Sequence, residues 1–184
     1  PQPENSRLSK EFFDRIGMEV PPDNGKYLKH VRLWMQDQYP DLPPASVQSR
    51  SLDVYNNMRR APWRREDVPD AWNWLEAMHE PLTLIAEGVK RPGYFSPLMP
   101  PRDPNGKQRP ISEVLLPGVQ SSREFARAFH ARAMLHIGEG READAWQDLL
   151  SCHRMGRLMG NGPTVIERLV GIAIEGIAID SEQM

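Results

Sequence analysis

The stretch SSREFARAFHARAMLHIGEGREADAWQDLLSCHRMGRLMGNGPTVIERLVGIAIEGIAID, residues 121–180, decides the fold class. Phe125, Phe129, Ala133 and Ile137 recur at four-residue steps, which puts them on one side of an α-helix. Ser121-Ser122-Arg123-Glu124 has the spacing of a capping box, a serine hydroxyl accepting from the third helical amide and a glutamate accepting from the cap amide. Alanines 126, 128, 131 and 133 keep this helix slim enough for a close neighbour. Gly138-Glu139-Gly140 ends it, because glycine reaches the left-handed conformation at little cost. A second helix is expected from Arg141 to Met159, burying Ala145, Trp146, Leu149, Leu150 and His153, and the short link makes the two an antiparallel hairpin. Gly160-Asn161-Gly162-Pro163 closes that helix and opens a third, with glycine past the end and proline near the start. The third helix, Pro163 to Ile179, is apolar almost all round and is therefore expected to be covered on several sides, by the 72–89 stripe, by a segment beyond Met184 or by a second subunit. Thr164-Val165-Ile166-Glu167 is a second candidate capping box.

Upstream, Leu8, Phe12 and Ile16 share a stripe over residues 6–16, stopped at Gly17. Residues 26–38 read as a helix carrying Leu28, Val31 and Met35, and 46–60 partly fit the same period. Trp72, Leu75, His79, Leu82, Ile85 and Val89 form a helical stripe. Pro81 lacks a backbone donor, so a kink or two abutting helices are expected at Glu80-Pro81. Residues 91–119 hold seven prolines, with a turn at Asn105-Gly106 and a short strand expected at Ile111 to Leu116. A loop of that length in a compact domain is either a functional cover or a linker. The expected fold is all-α: a helical bundle or short superhelical array in a single domain over 1–184. Within it lie an N-terminal subdomain (1–65), a helical segment (66–90), the proline-rich loop (91–119) and a three-helix unit (120–180).

Composition narrows the function classes. The 184 residues are 39% hydrophobic and 26% charged, with net charge −2 and a pI near 6.3, which is globular and favours neither a nucleic-acid surface nor an anionic membrane. No run approaches the ~20 uncharged apolar residues of a spanning helix. The single cysteine, Cys152, forms no internal disulfide, rules out a multi-cysteine zinc site within one chain, and reads as a buried, inert thiol. A start at Pro1 fits a leader removed before it, with export or an envelope location, or else a cut from a longer cytoplasmic protein.

Two resemblances follow from the helical third. The hairpin is similar to a tetratricopeptide-type pair, with Ala133, Ala145 and Leu149 at its small and large packing positions; Arg132 stands where that pattern has leucine, and no second copy follows in register. Residues 145–178 resemble a segment of uncharacterised bacterial proteins, some with hydrophobic N-terminal leaders. That resemblance implies helices and export and carries over no catalytic residue.

The candidate sites each have a plain structural alternative. His130, His136 and His153 could ligate a metal with Glu139, Glu142 or Glu167, but His130 and His136 lie about 240° apart around a helix, so no metal or cofactor is expected. Glu167 and Glu175 could act as an acid/base pair, yet stand about 12 Å apart along one helix. Glu167 instead suits a capping box or an ion pair with Arg154 or Arg157. Met58-Arg59-Arg60-Ala61-Pro62-Trp63-Arg64-Arg65 could hold phosphate while Trp63 stacks on a base. Glu66 and Asp67 follow at once, so a solvated turn is preferred and no nucleic-acid partner is expected. Tyr94 and Phe95 either anchor the proline-rich loop or face a partner. The absence of phosphate-loop, nucleophile-elbow and cysteine–histidine signatures favours a non-enzymatic helical scaffold that binds a protein or peptide, or a second copy of itself. The alternative is an enzyme or small-ligand binder with a pocket between the second and third helices, drawing on His153, Arg154, Arg157 and Glu167.

Overall fold

The computed structural model describes residues 13–14, 17, 19, 27–95, 98, 103, 105–107, 110 and 117–182, apart from the side chains at 117, 118, 120 and 180–182. The chain divides into two compact units, 1–25 with 95–118 and 26–94 with 119–184. Among the described residues the architecture is all-helical: α1 (Val31–Gln38), α2 (Pro44–Arg60), α3 (Pro69–Ala77), α4 (His79–Gly88), α5 (Pro117–Gly138), α6 (Glu142–Gly160) and α7 (Val165–Glu182).

Proline opens several of these helices, since its fixed φ suits the first turn and its missing donor would have had no helical partner there. Pro44 starts α2, Pro69 starts α3 and Pro117 starts α5. This explains why the Ser121 capping box is not formed. With α5 begun at Pro117, Ser121 lies inside the helix and Glu124 pairs with Arg127 and with His30 Nε2 (3.4 Å). The stripe over 72–89 does split into two abutting helices. The break falls at Met78 rather than Glu80-Pro81, leaving Pro81 in the first turn of α4.

The turn from α5 to α6 behaves as glycine chemistry requires. Gly140 adopts φ 73°, its amide donates to Ile137 O (3.0 Å), and the Arg141 amide donates to His136 O (2.7 Å), so the last carbonyls of α5 are satisfied. Gly138 serves a different purpose. A Cβ there would lie 2.1 Å from Trp63 O, so only glycine lets the α2–α3 loop cross the end of α5, where the Trp63 amide donates to Met134 O (3.3 Å). Ala133, Ala145 and Leu149 form one buried cluster, with Ile137 packed against it.

Helices α6 and α7 meet backbone to backbone. A Cβ on Gly171 would sit 2.6 Å from Gly160 N and 2.7 Å from Gly156 O. Glu167, Val170, Gly171, Ile174 and Ala178 make the buried stripe of α7. This chain itself covers only part of the apolar surface of α7, since Val165, Ile166, Leu169, Ile172 and Ile179 are exposed. Trp146, expected in the α6 core, is 51% exposed, which corrects that reading. In each case the covered stripe is narrower than the apolar one.

In the other unit, the Asn105-Gly106 turn is present. Asp103 O accepts from the Gly106 amide (2.9 Å), the Asp103 carboxylate accepts from the Asn105 and Lys107 amides, and Gly106 has φ 80°. The strand expected at Ile111 to Leu116 lies outside the described residues. So does most of the helix expected over 6–16, of which Phe13 and Asp14 are helical.

Candidate functional site

Thr164 and Glu167 build the start of α7. The Glu167 amide donates to Thr164 Oγ1 (3.1 Å), and Glu167 Oε2 accepts from both the Thr164 amide (2.9 Å) and its hydroxyl (2.7 Å). This is the reciprocal capping box the sequence spells, with Glu167 buried and Thr164 half-buried. Gly162 makes room for it, since a Cβ there would stand 2.7 Å from Glu167 Cβ. Glu167 is thereby committed to the helix terminus.

His153 Nδ1 and Glu175 Oε2 hydrogen-bond at 2.5 Å across α6 and α7. Glu175 lies over Gly156, where a Cβ would come within 2.8 Å of its Cγ. Arg157 is exposed and Arg154 half-buried. The four polar residues singled out between these helices thus hold separate posts: His153 on Glu175, Glu167 in the cap, and the two arginines with neither of them in an ion pair to Glu167. Tyr94 is half-buried and Phe95 is 82% exposed.

Two further histidines, His130 and His136, lie on α5 itself. His130 is buried, with Nε2 3.3 Å from Arg59 O. His136 Nδ1 lies 3.4 Å from Asp148 Oδ2; burial holds its pKa below the ordinary histidine value, against the opposing pull of Asp148. Asp148 itself receives both Arg132 Nε (2.9 Å) and Nη2 (2.6 Å). Among the described residues no group of three or more His, Cys, Asp or Glu is placed to hold a metal ion. Burial also pushes the Cys152 thiol far up.

Three arginines of the basic cluster at the end of α2, Arg59, Arg64 and Arg65, are engaged by the protein. Arg64 Nε donates to Gly138 O (3.1 Å), Arg65 Nε donates to Glu139 (2.7 Å) and its guanidinium lies 4.0 Å from the Trp72 ring centroid. Arg59 covers the Tyr55 ring. Trp63 is 4% exposed, so its ring is not presented for stacking on a base.

The sequence raised the question of what covers its apolar third helix, and the uncovered part is the outer face of α7. Val165, Leu169, Ile172, Gly176 and Ile179 follow steps of four, three, four and three residues, the spacing of a helix–helix seam. All five are exposed, with Ile172 at 69% and Leu169 at 57%, and Ile166 flanks them. Arg168 is the one charged side chain among the exposed, described residues of α7. The signal was available: residues 165–179 carry two interleaved apolar stripes, and only one can face α6. No helix of the described residues is long and apolar enough to cross a membrane. No protein-family model, curated protein or solved structure matches the chain.

Proposed function

We propose that this chain is a non-enzymatic helical interaction module whose working surface is the outer seam of α7, which docks an apolar helical segment. The observation that carries the reading is the exposed row Val165, Leu169, Ile172 and Ile179. With Ile166 it exposes on the order of 500 Å² of apolar side chain, at the upper end of the largest patch of an ordinary monomer. A row of leucine, isoleucine and valine at seam spacing complements the apolar face of another helix. It offers no hydrogen-bonding groups to orient a small polar substrate. The separate commitments of His153, Glu175 and Glu167 support the same reading over a catalytic one.

The test is calorimetric titration with an amphipathic helical peptide bearing leucines at seam positions. Saturable binding with a negative heat-capacity change is expected, since that change marks apolar burial. Leu169→Glu should weaken it at least ~10-fold, the loss of about 1.4 kcal/mol. A flat titration with the parent chain, at a dilution where it is monomeric, contradicts the proposal.

A further inference from the structure

Gly176 is the one feature of the α7 seam that this chain's own packing leaves without a purpose. A glycine inside a helix weakens it relative to alanine, and proteins keep one where a turn or a close approach requires it. Gly171, on the inner face, has that justification, because any side chain would strike the backbone of α6. Gly176 has none from within. Its φ is not positive, it is exposed, and a Cβ added to it would meet nothing within 4 Å. It cuts a notch in the apolar row between Ile172 and Ile179, at the place where a second backbone could approach closest.

Resting on the docking reading above, we propose that the occupant of this seam is a second copy of the chain, with its α7 laid antiparallel across the first. The exposed face is complementary to itself about its centre, with Val165 left at the rim. Two helices run antiparallel about a two-fold axis between Ile172 and Ala173 bring Leu169 of each copy opposite Gly176 of the other, a bulky side chain facing a notch, twice by symmetry. The same placement sets Ile166 against Ile179 and Ile172 against Ala173. Charge agrees with shape. Arg168, the one exposed charge among the described side chains of α7, leans toward the N-terminus of its own helix, which in the antiparallel pair is the direction of the partner helix's C-terminal turns. A cation there is favoured by the carbonyl end of the helix dipole, and the two Arg168 side chains stand at opposite ends of the interface rather than against each other. The area is adequate but modest: on the order of 500 Å² from five apolar residues, compared with about 800 Å² per partner in a standard interface, the rest falling to flanking side chains. A reversible dimer follows, rather than an obligate one.

Sedimentation equilibrium on the whole chain tests this, with Leu169→Glu and Gly176→Gln as variants. The parent is expected to show a closed monomer–dimer equilibrium below about 100 µM, and each variant to weaken it at least ~10-fold. Gly176→Gln separates this from a folding defect, because glutamine favours the helix and should raise Tm in dilute solution while closing the notch. A dimer indifferent to both variants overturns the proposal, as does open-ended association. A chain that stays monomeric yet still binds the leucine-seam peptide overturns the second copy as occupant and leaves the docking surface standing. Neither association nor peptide binding overturns both.

Discussion

Asp148 receives a two-pronged hydrogen bond from Arg132, and the pair lies inside the α5–α6 hairpin with the two side chains only 5% and 16% exposed. Removing one partner of such a pair strands a buried charge, which typically costs about 3–5 kcal/mol, whereas replacing both with apolar groups is often neutral or stabilising. Asp148→Ala is therefore expected to lower stability by roughly 3 kcal/mol. Arg132→Leu combined with Asp148→Leu should recover most of it. Urea denaturation of the single and double variants checks this; equal losses in both would show that the hairpin needs the ion pair itself.

His136 couples this network to pH. Its folded-state pKa is depressed by burial, so the unfolded chain takes up the proton first. Stability is expected to be full above the ordinary histidine pKa of about 6.5 and to fall as pH drops below it, until the folded form also protonates. His136→Gln should flatten that slope below about pH 6.5. An unchanged slope in denaturation midpoints would assign the dependence to another group.

The glycines of α7 give opposite predictions under one substitution. Gly171→Ala must push α6 away, its Cβ falling 2.6 Å from Gly160 N, and should destabilise by about 1–3 kcal/mol through overpacking. Gly176→Ala enters open space and should stabilise the dilute chain by up to about 1 kcal/mol. Thermal melts of the two variants decide it. A destabilised Gly176→Ala would mean that α7 packs differently from the arrangement described.

Cys152 reports on opening of the same helices. Its thiol is fully buried beside Ala126 O, with its pKa pushed far up by burial. A disulfide-exchange reagent is expected to react only as fast as the fold opens, so stabilising variants should slow the reaction in proportion. Prompt reaction of the native chain would contradict the burial.

The sequence disclosed the helices far better than the faces they cover. Helices after Gly138-Glu139-Gly140 and around Gly160-Asn161-Gly162-Pro163 were legible because glycine and proline act locally, as was the Thr164–Glu167 box, whose partners are three residues apart. The Ser121 box has the same spacing and failed, because Pro117 had already begun the helix. Burial was less legible. Trp146 and Ile172 read as core from hydrophobicity alone, yet for α7 the stripe that meets α6 is set by glycines at the contact, here Gly156 and Gly171. The pairings of His153 with Glu175 and Arg132 with Asp148 join residues 22 and 16 apart and needed the helices placed side by side before they could be seen.

The claim that the outer seam of α7 is a docking surface is met most directly by amide hydrogen exchange over residues 165–179, with and without a saturating leucine-seam helical peptide. Slower exchange confined to α7, and absent in Leu169→Glu, is the predicted result. Protection that spreads elsewhere with α7 unchanged, or no protection at all, would contradict it.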